Sequence, residues 1–245
     1  MNIASHEPNK TSLYELSRSE LAASLKAWGQ PAYRADQIWQ WVWNKGCHAF
    51  SHMSNVSKDL RSFLDRKYSL QLPSLSVLTS SVDGTMKGLL ELRDNQQVEW
   101  VLIPDKDHYT LCLSTQVGCS LACSFCSTGQ MGFARNLSAG EILAQVLIAR
   151  QVLAENNSAW PLRNIVFMGM GEPLLNWLEV EKSLYTLRDS LGLGFSHRRV
   201  TVSTVGIPRV METFAHTQLA SLALSLHAPT QTLRRQIMPK AASMF

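Results

Sequence analysis

No run of this 245-residue sequence approaches the ~18 consecutive apolar residues that a membrane-spanning helix needs, so no membrane partner is expected. The opening Met1-Asn-Ile-Ala-Ser-His-Glu7 lacks the basic-then-apolar order of a secretory leader. Cysteine is scarce. There are five, an odd number, and three share one short loop; this excludes a disulfide framework and points to a reducing cytoplasm. Charged residues are also few, 17% against 45% hydrophobic, a balance that excludes disorder and supplies a globular core. The charge excess of +4, with a pI near 8.9, permits a nucleic-acid partner without requiring one. A mildly basic soluble enzyme fits equally. The length suits one large domain, or one domain with a small accessory domain.

What the sequence does have is Cys119-Ser-Leu-Ala-Cys123-Ser-Phe-Cys126, a C-x3-C-x2-C run. Three thiolates this close serve one centre. A structural zinc would need a fourth ligand, and none is nearby. A [4Fe–4S] cluster ordinarily takes four cysteines, so three leave one iron open to a non-protein ligand. The spacing, with an aromatic before the last cysteine, resembles the radical S-adenosylmethionine (SAM) superfamily, in which the amino and carboxylate groups of SAM occupy that iron. The alternatives are a zinc knuckle or chance clustering.

The first ~70 residues have helical periodicity. Ser17-Arg-Ser-Glu20 is a capping box opening a helix that Gly29 and Pro31 stop. A second helix is expected from about Tyr33 to Asn44 and a third from about Ser57 to Lys67. Trp28, Trp39, Trp41 and Trp43 fall here, four of seven tryptophans. Trp39 is expected in the core; Trp41 and Trp43 do not both share its stripe, so one is expected outside, able to stack on a base. Cys47 is expected as a small core residue. From about Leu72 the period changes to that of a short antiparallel meander, with turns at Asp83-Gly84 and Asp94-Asn95. The division expected is therefore a helical module over 1–71, a β meander over 72–104 and a core over 105–245.

In the core, strands alternate with helices: Thr110–Ser114, Asn164–Met168, Arg199–Ser203 and Leu219–Leu226 are the expected strands. Such a series predicts a parallel barrel or open sheet. Ligands of these folds sit at the carboxyl ends of the strands, and every candidate falls there. The cysteine loop follows the first strand and Gly169-Met-Gly-Glu-Pro173 the second; Ser203 closes the third, Ser225 and His227 the fourth. Singly, each has a plainer reading as a turn, a cap or a loop histidine.

Six segments carry a closer likeness: Val98–Pro104, Leu111–Cys119, Cys126–Leu137, Met168–Asn176, Val202–Gly206 and Ser225–Ala228, joined by Pro31–Ile38 in the helical module. Together they resemble the RlmN family of radical SAM methyltransferases, which act on adenine C2 of 23S rRNA and of the tRNA adenine adjacent to the anticodon. The resemblance implies a partial (β/α) radical SAM barrel behind an RNA-binding helical module. It implies that Cys119, Cys123 and Cys126 hold a [4Fe–4S] cluster, and that Gly171, Glu172, Ser203, Ser225, Leu226 and His227 hold SAM. Glu99 matches the proposed proton acceptor and Cys112 the first of two mechanistic cysteines. It further implies a flavodoxin-type electron donor, a cytoplasmic monomer and a transient disulfide. The chemistry is consistent: adenine C2 lies between two ring nitrogens and is too electron-poor to attack an electrophilic methyl group, whereas a carbon radical adds to it. In the family that radical derives from a methylated cysteine near the C-terminus, and the other cysteine, here Cys112, resolves the adduct. Glu99 shares a strand face with Val101 and Ile103, where partial desolvation would suit a base; a solvated strand glutamate is the competing reading.

After Gln236-Ile-Met-Pro239 the family pattern gives way to Lys-Ala-Ala-Ser-Met-Phe, and no cysteine follows Cys126. A truncated copy, not methylating RNA alone, is the expectation; an inactive remnant binding RNA or a cluster, and adenine C8 as the target as in the sibling family Cfr, are alternatives.

Overall fold

A computed structural model describes residues 10–244; the opening stretch read for a leader lies outside the described residues. The N-terminal module begins with β1 (Thr11–Ser12), a 3-10 turn over Leu13–Glu15, α1 (Arg18–Ala27) and α2 (Tyr33–Trp39). Ser17 and Glu20 close the expected capping box on α1. The second expected helix is shorter than its pattern, because a π turn over Gln40–Asn44 continues α2. Trp39 and Trp43 both turn inward, 1% and 0% exposed. Trp41 is the one left half-buried, with Lys45 Nζ 3.7 Å over its ring. Helix α3 (Lys58–Lys67) starts at a Ser57 cap and leads to β2 (Tyr68–Ser69), which pairs in parallel with β1. Cys47 is buried, its thiol donating to Ala49 O at 3.0 Å, as expected of a core residue.

Next come β3 (Ser74–Ser80), β4 (Met86–Glu91), β5 (Gln97–Asp105) and β6 (His108–Cys112). They form the expected meander, turning at Gly84 and Asn95, both with positive φ. Short β7 (Gln116–Gly118), α4 (Ser127–Gln130) and β8 (Phe133–Asn136) frame the cysteine loop. Then α5 (Ala139–Glu155), β9 (Leu162–Phe167), α6 (Trp177–Arg188), β10 (Val200–Thr204), α7 (Pro208–Thr217), β11 (Ser221–Leu224), α8 (Gln231–Ile237) and α9 (Pro239–Ala242) complete the order. The four expected parallel strands are present as β6, β9, β10 and β11.

The meander is continuous with them. One seven-stranded sheet runs β11-β10-β9-β6-β5-β4-β3, antiparallel from β3 to β6 and parallel beyond. Strand alternation gives the sheet two unlike faces. Val98, Trp100, Leu102, Leu111, Ile165, Phe167, Val200 and Val202 are buried in the main core with residues of α5 and α6. Helix α5 is apolar on nearly every side, which only a buried helix tolerates. The opposite face carries Lys87, Val101, Cys112, Val166 and Thr201 in one register row, half-buried or exposed.

Polar contacts lock the helical module to the core. Glu15 accepts from Ser138 Oγ at 2.7 Å and from Gly140 N at 3.2 Å, and Arg150 donates to the Trp43 and Asn44 carbonyls. Gly88 of β4 lies opposite Trp100 of β5, and a Cβ there would sit 2.3 Å from the indole. The glycine therefore makes room for the largest side chain of the sheet. Gly88→Ala is expected to cost about 1–3 kcal/mol by overpacking, read as a lower midpoint in urea denaturation.

Candidate functional site

The cysteine loop leaves the sheet where β6 ends and is closed at a narrow neck. Gly118 has φ +74°, and a Cβ on it would fall 1.9 Å from Gly132 O. Only glycine allows the two strands of the neck to cross so closely. Cys119 N donates to Gly132 O at 2.8 Å, while β7 and β8 pair antiparallel below. Inside the loop, Ala122 holds φ 51° between two cysteines, a conformation that costs an alanine about 1 kcal/mol or more.

Cys123 packs with Leu121, Val205, Met238 and Ala241 in a small apolar cluster, with Cys119 and Cys126 at its border. Burial pushes the Cys119 and Cys123 thiols up, and each is raised further by the Cys126 beside it and by Glu172. The loop and Glu172 thus share one electrostatic site. Among the described residues no three His, Cys, Asp or Glu side chains converge as ligands of a single ion do. A cluster instead puts each thiolate on a different iron, and three soft donors against an apolar wall suit it. All five cysteines are free, so the expected disulfide has no counterpart in the structure.

Glu172 follows β9 and is 3% exposed. The structure spends that side chain on the protein. Oε1 accepts from Thr204 Oγ1 at 2.6 Å and Leu174 N at 3.0 Å, and Oε2 from Val205 N at 2.9 Å. Burial pushes this carboxyl above the usual range, and the three donors oppose that shift. Gly169 and Gly171 let the loop lie against Leu113, Ser114 and Gln116 of the same chain, where side chains would collide.

Ser203 and Ser225 meet at the carboxyl ends of β10 and β11, with Oγ atoms 3.2 Å apart. Leu226 is exposed, and His227, at φ 57°, sets its ring 4.7 Å from Phe125 of the cysteine loop. Cys112 ends β6 on the open face, its thiol pushed up by burial. Glu99 lies on the same face with Val101 and Ile103, as expected from alternation. It is less desolvated than expected: its side chain is 45% exposed and ion-paired to Lys87 at 3.0 Å.

Sequence reasoning missed the buried polar layer beneath these residues. Gln145 pairs both ways with the Ser114 backbone, at 2.8 and 2.9 Å. Ser114 Oγ donates to Glu99 O at 2.6 Å and accepts from Met170 N at 2.9 Å, tying three strand ends together. Gln116 accepts from Glu172 N, and Asn176 donates to the Thr115 and Leu137 carbonyls. The one available signal was the polar run Ser114-Thr-Gln116 straight after an apolar strand.

Comparison with known proteins agrees with this geometry. The pattern of the ribosomal RNA large subunit methyltransferase N-terminal domain matches residues 11–70, and that of the radical SAM superfamily residues 113–243. Fold and site therefore define a radical SAM protein. The dual-specificity RNA methyltransferase RlmN of Solidesulfovibrio magneticus is 50% identical over 234 residues, 96% of this chain and 67% of that protein. RlmN of Nitratidesulfovibrio vulgaris strain DP4 is 51% identical, covering 95% of this chain and 66% of that protein. The crystal structure of a radical SAM methyltransferase from Sphaerobacter thermophilus superposes with a TM-score of 0.86 at 39% identity, over 94% of this chain and 67% of that one. The chain belongs to the RlmN family of radical SAM methyltransferases, whose members use a [4Fe–4S] cluster and SAM, and spans about two thirds of the length of these relatives.

Thr204 is the testable joint of the site. Its hydroxyl favours the ionised form of Glu172, so Thr204→Val should raise that carboxyl further. The expected loss of stability is about 1–3 kcal/mol while Glu172 is charged. It shrinks as pH falls and the carboxyl takes up a proton, so denaturation should show a larger deficit at about pH 8 than at about pH 5.

Proposed function

We propose that this chain carries the cluster, cofactor and RNA-binding parts of an enzyme that methylates C2 of adenine in 23S rRNA and in the tRNA position next to the anticodon. The observation that carries the reading is convergence. The cysteine loop, the Glu172–Thr204 turn, Ser203 with Ser225, and Cys112 with Glu99 all lie at one end of one sheet. The donor set fits the cofactors of the family: Cys119, Cys123 and Cys126 would hold the cluster, and Gly171, Glu172, Ser203, Ser225, Leu226 and His227 would line the SAM position, Glu172 acting through the loop it fixes. The bound pair supplies the carbon-radical chemistry that an electron-poor ring carbon requires.

The remaining roles belong to side chains of the open face. Glu99 takes the proton from adenine C2, and Cys112, on the neighbouring strand, would attack the sulfur of a methyl-carrying cysteine that this sequence does not include; an S–S bond forms as that sulfur's bond to the transferred carbon breaks, and the carbon keeps the electron pair and takes up a proton as the new methyl group. The module up to residue 71 carries RNA. On α3, Lys58, Arg66 and Lys67 are exposed, with Arg66 5.9 Å from the Phe63 ring centre and Lys67 closer to its own, 4.6 Å over Trp28, while Arg61 donates to Ser51 O. The first two are therefore the cations best placed to meet phosphate.

Two measurements test this. Anaerobic reconstitution should load one oxygen-sensitive iron–sulfur cluster, lost in Cys119→Ala, Cys123→Ala and Cys126→Ala but kept in Cys112→Ala, by iron and sulfide analysis. Stoichiometric zinc without sulfide would overturn the cofactor assignment. Reversing Lys58 and Arg66 to Glu should weaken RNA binding and flatten the plot of log affinity against log salt by about 1 for each phosphate no longer neutralised. An unchanged slope would show that this face is merely solvated.

A further inference from the structure

Arg234 on α8 is 4% exposed and has no part in the roles given above. Its Nη2 donates to the carbonyl of Val205. The N–H of that same Val205 donates to Glu172 Oε2 at 2.9 Å. One residue of backbone therefore stands between a buried cation and a buried carboxylate, held at both of its polar groups. Thr204, the residue before it, holds the other oxygen of Glu172, so a shift of this turn would disturb both of its donors at once. The same helix also reaches the cysteine loop: Ser124 N donates to Ile237 O at 2.9 Å, and Ser124 Oγ to the same oxygen at 3.3 Å.

A guanidinium is costly to bury, and helix packing alone is served as well by an apolar side chain. Retaining the charge implies something specific to hold. We propose that Arg234 is a positioning residue of the cofactor site. From α8 it fixes the Val205 carbonyl, and so keeps the Glu172 loop and the cysteine loop at one set separation. The inference rests on the functional reading above and adds to it a coupling between the two halves of the site. SAM held by the cysteine loop's cluster and by the residues around Glu172 would contact both halves, so its affinity would depend on their spacing.

The test uses the whole chain with its cluster reconstituted anaerobically, comparing wild type, Arg234→Met and Arg234→Lys. Equilibrium dialysis with labelled SAM reads affinity, iron and sulfide read cluster content, and electron paramagnetic resonance of the reduced cluster reads whether SAM reaches it. Arg234→Met should weaken SAM binding roughly tenfold or more, as expected for removal of a charged hydrogen bond. It should also lose the spectral change that SAM induces, with cluster content and circular dichroism unchanged. Arg234→Lys, which keeps the charge without the planar fork, should weaken binding about threefold. Equal affinity in wild type and Arg234→Met overturns the proposal, as does a parallel loss of SAM binding and cluster, which would mark a general structural residue. If Arg234→Met does not fold, Arg234→Lys decides, and wild-type affinity there overturns it. Absence of SAM binding by the wild-type chain would instead sink the cofactor assignment itself.

Discussion

A carboxylate taken out of water is the joint from which the functional end of this molecule hangs. Glu172 leaves β9, yet its oxygens are held by the turn after β10 and by the start of the segment that becomes α6. Burying that charge is unfavourable on its own, and three donors make it tolerable. The donors come from two separate segments, so the group is satisfied only when the ends of neighbouring strands are already in place. A polar requirement thereby enforces a tertiary arrangement that apolar contacts, being non-directional, would leave loose.

The sheet beneath has a different logic on each side. One side is dressed by α5 and α6 and packs as a continuous apolar core. The other presents Lys87, Glu99, Cys112 and Ser203, side chains that keep access to solvent or to a ligand. Antiparallel β3 to β5 extend that open side beyond the parallel strands, which brings Glu99 next to the carboxyl end of β6. The helical module, anchored through Glu15 and Arg150, sits on the same body. The helical module and the open face thus belong to one frame.

How much of this the sequence discloses depends on the length scale of each interaction. The capping box at Ser17, and the turns at Gly84 and Asn95, are local, and they appear where the residues indicate. The four parallel strands follow from periodicity, whereas their place beside the antiparallel meander in one sheet does not. The cysteine run is legible because its chemistry is compressed into eight residues. The Ser114–Gln145 pairing spans 31 residues and the Glu172–Val205 bond 33, and Arg234 meets Val205 from 29 away. No short-range pattern encodes those meetings. Glu172 stands out in the sequence within Gly-Met-Gly-Glu-Pro, but that its oxygens serve the fold is visible only once β10 is in position. Likewise the π turn that brings Trp43 inside breaks the regular helical period on which the expectation of one continuous helix relied.

The closed neck of the cysteine loop bears on how such a protein changes over generations. Gly118 and Gly132 pinch the loop shut, and its covalent path to the sheet runs through that crossing and the short β7–β8 ladder. Residues gained or lost between Cys126 and Gly132 would be absorbed inside the loop, leaving β6 and α5 undisturbed. The segment therefore behaves as a cassette. Its stretch from Ser127 to Met131 has room to vary, whereas the three cysteines and the two glycines at its mouth do not.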